Sequence, residues 1–128
     1  MNQEKSGICK GYFFDTYALI EIFQGKDSYE KYKTARFVTT FLNLYEFYYC
    51  LRKSYDKDAV RAAFEKLIPF CVRLRPDDII EASEFRLKVR RELSYADCLG
   101  YVISLKFGIK FLTGDRQFQD LDNVEFVK

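Results

Sequence analysis

The stretch that decides the fold is GYFFDTYALIEIFQG, residues 11–25. Residues 11–14 have the aromatic composition of a short buried strand. Residues 16–25 have the apolar spacing of a helix, with Thr16 as a possible N-cap and Gly25 as its expected end. Asp15 stands between the two elements, where an unpaired buried carboxylate would be costly. The residue therefore either caps the helix or belongs to a functional site.

The rest of the chain repeats the alternation of strand and helix. Strands are expected at 36–40, 70–74, 109–115 and 124–127, helices at 41–54, 56–68, 77–93 and 94–108, and a short helix or turn at 28–35. Residues 41–54 are apolar nearly all round, which predicts a buried helix. Strands separated by helices predict one α/β domain, residues 1–128, whose mostly parallel sheet is covered on both faces.

The composition excludes several kinds of chemistry. The chain has no His, which removes Ser–His–Asp catalysis and His-ligated zinc. Its net charge of +2 means that any nucleic-acid surface is a local patch. No CxxC pair occurs among its four cysteines, which argues against a zinc ribbon; they are Cys9, Cys50, Cys71 and Cys98. With no signal peptide or membrane-spanning run, we expect a cytoplasmic protein with reduced thiols and no membrane partner.

Four acids lie in apolar company. Asp15 and Asp115 follow expected strands, while Glu46 and Asp97 lie on expected helices. Singly, Asp15 and Asp97 could serve helix N-termini, Asp115 a turn, and Glu46 a buried ion pair. Ligands of parallel sheets bind at the carboxyl ends of the strands, so the four together predict one shared pocket. Because like charges repel, such a pocket needs a cation, and its oxygen ligands suit Mg²⁺ or Mn²⁺ and phosphodiester cleavage.

At these acids the sequence resembles the PIN-domain ribonucleases, most closely the VapC-type toxin group. The similarity rests on four motifs: FFDTYALI, FVTTFLNLYEFYYCL, LSYADCLGYVIS and IKFLTGDRQFQDL. Each is weak alone, but they occur in the family's order and cover nearly the whole chain. Gly100 and Tyr101 depart from the small aliphatic residues that are usual in the family, and Cys98 is interpreted as a core residue.

The resemblance implies a three-layer α/β/α sandwich with a central, mostly parallel sheet. It also implies a metal-dependent endoribonuclease that uses Mg²⁺ or Mn²⁺ to hydrolyse RNA and leaves a 5′ phosphate. Asp15, Glu46, Asp97 and Asp115 would be its catalytic and metal-binding residues. The leading interpretation is the toxin of a toxin–antitoxin pair, forming a homodimer. The alternatives are a PIN nuclease of RNA processing or quality control without an antitoxin, and a catalytically inactive RNA-binding module.

Polar neighbours of the four acids have open roles. Thr16 and Thr113 could hydrogen-bond the carboxylates, or act as cap and turn residues. Asn43 could orient Glu46 from one turn away. Asp120 is either an accessory acid or a solvated loop residue, and the second interpretation is favoured.

Two further groups of residues could contact partners. Basic residues before the Asp97 helix could bind RNA phosphates or simply end a solvated helix; they are Arg86, Lys88, Arg90 and Arg91. Aromatic side chains could stack on bases, but their spacing favours the core. Apolar residues of two helices are expected to remain partly exposed for a dimer or an antitoxin; they are Tyr17, Ile20, Phe23, Tyr48, Tyr49 and Leu51.

Overall fold

The computed structural model describes residues 11–128 and confirms the α/β class. Four strands form one sheet in the order β2-β1-β3-β4, and all three neighbouring pairs are parallel. The strands are β1 (Tyr12–Phe14), β2 (Phe37–Val38), β3 (Lys110–Thr113) and β4 (Val124–Phe126). The α-helices are α1 (Thr16–Gln24), α2 (Phe41–Arg52), α3 (Lys57–Leu67), α4 (Pro76–Val89) and α5 (Tyr95–Phe107). Short 3₁₀ segments lie at Asp27–Tyr32, Ile68–Phe70 and Arg116–Phe118.

Alternation along the central strands creates the three layers. Phe13 of β1 and Phe111 of β3 point to one face of the sheet, where α4 and α5 cover them. Phe14 and Leu112, the next residues along, point to the opposite face, where they pack with α1, α2 and α3. All four side chains are almost completely buried. The sheet therefore has an apolar core on each side, and the predicted α/β/α sandwich is confirmed.

The prediction of a strand at 70–74 is wrong. Only Cys71 forms a single parallel bridge, to Thr39 beyond the end of β2. The Val72 N–H donates to the Thr39 carbonyl at 2.9 Å. The pairing cannot continue because Thr40, the next residue, is already the N-cap of α2 and the chain leaves the sheet.

The helix predicted at 77–93 ends earlier, at Val89. Arg90 takes a left-handed backbone conformation with φ of 57°, which stops the helix. The reversal carries Leu93 back into the core, where it is nearly inaccessible. Arg86 fixes the turn, since its Nε donates to the Leu93 carbonyl at 2.8 Å.

The sequence predicted that helix α2 is buried all round, but in the structure one of its faces is exposed. Leu44, Phe47 and Leu51 face the core, whereas an opposite row of aromatic residues is exposed. That row is Phe41, Tyr45 and Tyr49. A helix on the outside of a three-layer sandwich has a single sheet face to pack on, so a second apolar stripe must face water.

The apolar residues expected to form a partner surface are mostly packed within the domain. Tyr17, Ile20 and Phe23 of α1 pack against the α1–α3 core, and Leu51 is buried. Tyr48 meets the ring of Phe64 edge-on, with centroids 5.7 Å apart. Of the six named from the sequence, Tyr49 alone is strongly exposed.

The described cysteines Cys50, Cys71 and Cys98 are free thiols, and Cys98 is a core residue as predicted. Cys9 lies outside the described residues. No helix within residues 11–128 has the length and apolar character needed to cross a bilayer.

Gly100 lets α5 approach β1 closely. A Cβ added there would lie 2.4 Å from Cε1 of Phe13, a fully buried ring. We predict that Gly100→Ala lowers the free energy of unfolding by about 1–3 kcal/mol, although the same change at an open helical position gains about 1 kcal/mol. Urea unfolding measures it, and the cost should shrink in a Phe13→Leu background. Equal cost in both backgrounds would contradict this explanation.

Candidate active site

The carboxyl edge of the sheet carries an open cleft of about 690 Å³. Asp15, Glu46, Asp97 and Asp115 all line it, so the structure brings the four predicted acids together. The remaining wall residues are Thr16, Tyr17, Tyr49, Cys50, Ser94, Gly114, Arg116 and Lys128. The acids come from the end of β1, the middle of α2, the first turn of α5 and the end of β3. Parallel strand topology therefore assembles a site from distant parts of the sequence.

Asp15 is buried and is also a helix cap. Its side chain is 1% exposed, and its Oδ1 accepts the Ala18 N–H at 2.8 Å, so Asp15 rather than Thr16 is the N-cap of α1. The Thr113 hydroxyl also donates to its carboxylate. Burial first, and then the charge of Asp97, raise the pKa of Asp15 well above its ordinary value. Asp15 therefore caps α1 and also lines the cleft.

Thr113 links Asp15 to Asp115 at the end of β3. Its hydroxyl donates to the Asp15 carboxylate and accepts the Asp115 N–H at 3.0 Å. Asp115 in turn caps the following 3₁₀ segment, because its Oδ1 accepts the Gln117 N–H at 3.0 Å. Asp115 is thus a turn residue that also lines the cleft.

A chain of hydrogen bonds fixes Glu46. Thr40 donates to the Asn43 side-chain oxygen at 2.7 Å, and Asn43 Nδ2 donates to Thr16 Oγ1 at 3.2 Å. Thr16 then donates to Glu46 Oε1 at 2.6 Å. Asn43 therefore acts on Glu46 through Thr16. Glu46 is half-buried at the cleft, and no Lys or Arg of residues 11–128 forms an ion pair with it.

Asp97 lies in the first turn of α5, where Ser94 is the N-cap as predicted. The Asp97 N–H donates to Ser94 Oγ at 3.0 Å. Burial, then the charges of Glu46 and Asp115, raise the pKa of Asp97 to about 7. Within residues 11–128, none of the four acids forms an ion pair with a Lys or Arg.

Two basic residues at the cleft were not found from the sequence. Lys128 Nζ lies 3.4 Å from the Gly114 carbonyl oxygen and 5.0 Å from the centroid of the Tyr17 ring. Arg116, which follows Asp115, also lines the cleft. Arg116 could have been suspected from its neighbour, but Lys128 carries no motif. Only the pairing of β4 beside β3 brings Lys128 to the site.

The other sequence candidates lie elsewhere. Asp120 forms a two-pronged ion pair with Arg91, both N–O distances being 2.9 Å, and neither residue lines the cleft. This agrees with the favoured interpretation of Asp120 as a solvated loop residue. Lys88 and Arg90 are exposed and do not line the cleft either.

The donor chemistry of the cleft fits a hard divalent ion. Its acids and hydroxyls are oxygen ligands. Burial and, after it, mutual repulsion raise the pKa of Asp15 and Asp97, and a cation would favour their charged forms. Within residues 11–128, no three acidic or thiol side chains are gathered closely enough to hold an ion as they stand. Acids spread around an open cleft suit Mg²⁺, which usually keeps several waters and binds one or two carboxylates directly.

Comparison with known proteins identifies the class that this fold and site define. The family model of the PIN domain matches residues 12–124. The chain therefore belongs to the PIN domain family, as its motifs predicted. No curated protein matches it by sequence.

Several solved structures share the fold at low identity. Mycobacterium tuberculosis VapC20, described as a toxin that cleaves the sarcin–ricin loop, is 22% identical, with a TM-score of 0.73 over 91% of this chain and 99% of that one. A toxin–antitoxin complex from Klebsiella pneumoniae is 15% identical, with a TM-score of 0.72 over 89% and 95%. VapBC2 from Rickettsia felis, bound to promoter DNA, is 15% identical, with a TM-score of 0.69 over 91% and 98%.

The crowded acids predict an unusual dependence of stability on pH. The pKa of Asp97 rises on folding from 3.8 to about 7, so the folded protein binds the proton more tightly than the unfolded one. Stability without metal should therefore fall as pH rises through this window. We predict that Asp97→Asn makes the free energy of unfolding depend less on pH and raises it by on the order of 2 kcal/mol at pH 8.

Urea unfolding in a chelating buffer at several pH values measures this slope. Asp58→Asn is the control, since Asp58 is an exposed acid in the first turn of α3. It should leave the slope as in the wild type. If Asp97→Asn instead cost several kcal/mol at pH 8, Asp97 would be a structural carboxylate.

Proposed function

We propose that the protein is a divalent-metal-dependent endoribonuclease that hydrolyses RNA phosphodiester bonds. One observation carries the proposal: four acids from four different elements line one open cleft, and no Lys or Arg of residues 11–128 forms an ion pair with them. Capping accounts for Asp15 and Asp115 one at a time, but it does not explain why four acids without cationic partners share one cleft. The membership in the PIN domain family agrees with this function.

Each carboxylate would act from a fixed position. Asp15 is held by the Ala18 N–H and the Thr113 hydroxyl, and Glu46 by the Thr16 hydroxyl. With Asp97 and Asp115 they would hold Mg²⁺ or Mn²⁺. When bound, such an ion acts as a Lewis acid that neutralises phosphate charge and lowers the pKa of water.

Basic residues at the edge of the cleft support a polyanionic substrate. Lys128 and Arg116 line the same cleft as the acids, where they can contact phosphates of a bound substrate. VapC20, described as a toxin that cleaves the sarcin–ricin loop, shares the fold. RNA is therefore the proposed substrate, and the complete set of acids speaks against an inactive RNA-binding module.

Cleavage of a labelled single-stranded RNA in Mn²⁺ or Mg²⁺ tests the activity. We predict that Asp15→Asn lowers the rate on the order of 100-fold or more, because it removes a ligand at the centre of the acid set. Asp58→Asn, in the first turn of α3 and not among the residues that line the cleft, should retain activity. Activity that survives exhaustive chelation would contradict the metal-dependent proposal.

We further propose that the protein is a toxin controlled by an antitoxin. Its structural neighbours include a toxin–antitoxin complex and VapBC2. An antitoxin could inhibit by placing an Arg or Lys among the four acids, where a cation would replace the metal. Self-association into a homodimer belongs to the same proposal.

Expression in bacterial cells separates the toxin from a processing nuclease. We predict that the wild-type chain slows growth and that Asp15→Asn, at the same protein level, does not, because growth arrest requires cleavage. If both chains affected growth equally while the wild type cut RNA in vitro, a nuclease of RNA processing or quality control would be the better interpretation.

A further inference from the structure

We propose that exposed tyrosines beside the acidic cleft bind unpaired bases of the RNA, with Tyr45 and Tyr95 forming the first base subsite. This inference rests on RNA being the substrate. It adds a means of selecting unpaired strands that the four acids do not provide.

Two tyrosine rings project into solvent next to the site. Tyr45 on α2 is 71% exposed and Tyr95 at the start of α5 is 77% exposed. Neither hydroxyl forms a hydrogen bond with residues 11–128, so no hydrogen bond holds either ring in its outward position. Folding has left both large aromatic surfaces available to a ligand.

The two rings line one pocket, and this pocket adjoins the acidic cleft. It has a volume of about 340 Å³ and lies between α2 and α5. Glu46 and Ser94 belong to the walls of both pocket and cleft. A base held between α2 and α5 would therefore be adjacent to a phosphate beside Glu46.

The aromatic row of α2 extends the same path. Phe41, Tyr45 and Tyr49 recur every four residues, which places successive Cβ atoms roughly 6 Å apart on one helix face. Tyr49 lines the acidic cleft, and Tyr45 lines the adjoining pocket. Glu46 lines both the cleft and the pocket, so an RNA strand that follows the row passes a proposed metal-binding acid.

Cations accompany the rings, as expected for a nucleic-acid surface. The Arg86 guanidinium lies 5.5 Å from the Tyr95 ring centroid and is fixed by the Leu93 carbonyl. Lys53 Nζ lies 4.7 Å from the Tyr49 ring centroid. Aromatic faces with Arg or Lys beside them are the usual platform for stacking successive bases of a single strand.

A protein partner fits this pocket less well. Glu46 lines it, and a protein docked there would cover this carboxylate. Protein interfaces are depleted of Glu, although Arg is enriched in them. An RNA strand instead presents bases to the rings while its phosphates remain in water. The rings need unpaired bases, because the faces of paired bases are stacked inside the duplex.

Fluorescence anisotropy of a short single-stranded RNA in Mg²⁺ tests the subsite. All chains carry Asp15→Asn so that the RNA is not consumed. Tyr45→Ala and Tyr95→Ala should each raise Kd by roughly 5- to 100-fold, because each removes a stacking surface. Tyr45→Phe and Tyr95→Phe keep the ring and should stay within about twofold. Leu105→Ala, an exposed apolar control elsewhere on α5, should have no effect.

An RNA without bases at successive positions provides the decisive comparison. The parent chain should bind it weakly, and Tyr45→Ala should weaken that binding no further. Equal binding of RNA by the Ala variants and the parent would overturn the inference. The inference would also be overturned if light scattering showed a lower mass for the Ala variants while their RNA binding was unchanged. The face that carries Tyr45 and Tyr95 would then be an interface between copies of the chain.

The proposed function can fail separately from the subsite. With Asp15 intact, cleavage of RNA tests the function alone. Binding that depends on Tyr45 and Tyr95 without any cleavage would support the subsite in a binding module. Cleavage without dependence of binding on the tyrosines would retain the nuclease and remove the subsite, and the absence of RNA binding would also overturn the inference.

Discussion

A carboxylate buried between β1 and α1 is the constraint around which the site is organised. Asp15 is almost completely buried, and its polar partners are the Ala18 N–H and the Thr113 hydroxyl. These donors favour the charged form, but burial and the charge of Asp97 oppose it more strongly and raise the pKa of Asp15. The folded protein thus has an unfavourable interaction that a cation in the cleft would relieve.

The parallel sheet explains how acids so far apart in sequence come to share that interaction. β1 and β3 are adjacent and parallel, so Asp15 and Asp115 leave the sheet at the same edge. Thr113 joins them with one hydroxyl that donates to the first and accepts from the backbone of the second. Helices α2 and α5 cover opposite faces, and they carry Glu46 and Asp97 to this edge from either side.

Three of the four acids could be placed from the sequence because strand ends and helix starts are local patterns, while Glu46, in the middle of α2, stood out by its apolar neighbours. Asp15 and Asp115 follow buried strands, and Ser94 marks the start of the Asp97 helix. Lys128 could not be placed in this way, since it reaches the cleft only through the pairing of β4 with β3. The prediction of a strand at 70–74 was wrong for a related reason. The composition favours a strand, but its pairing partner, β2, ends where α2 begins, and this is decided by the fold.

Helix α2 shows a different limit of sequence patterns. Its residues Leu44, Phe47 and Leu51 and its row Phe41, Tyr45 and Tyr49 are both apolar at helical spacing. Periodicity alone cannot say which stripe faces the sheet, and it favoured a buried position for both. The three-layer arrangement offers α2 one face only, so one stripe had to be exposed.

The exposed aromatic row of α2 offers a way for an acidic cleft to bind a polyanion. The chain carries a net charge of only +2, and the Arg86 and Arg91 side chains are already bonded to Leu93 and Asp120. General electrostatic attraction is therefore weak, and the acids repel phosphate unless a cation lies among them. Stacking depends little on net charge, so the tyrosines beside Glu46 can contribute binding that the electrostatics of this cleft cannot.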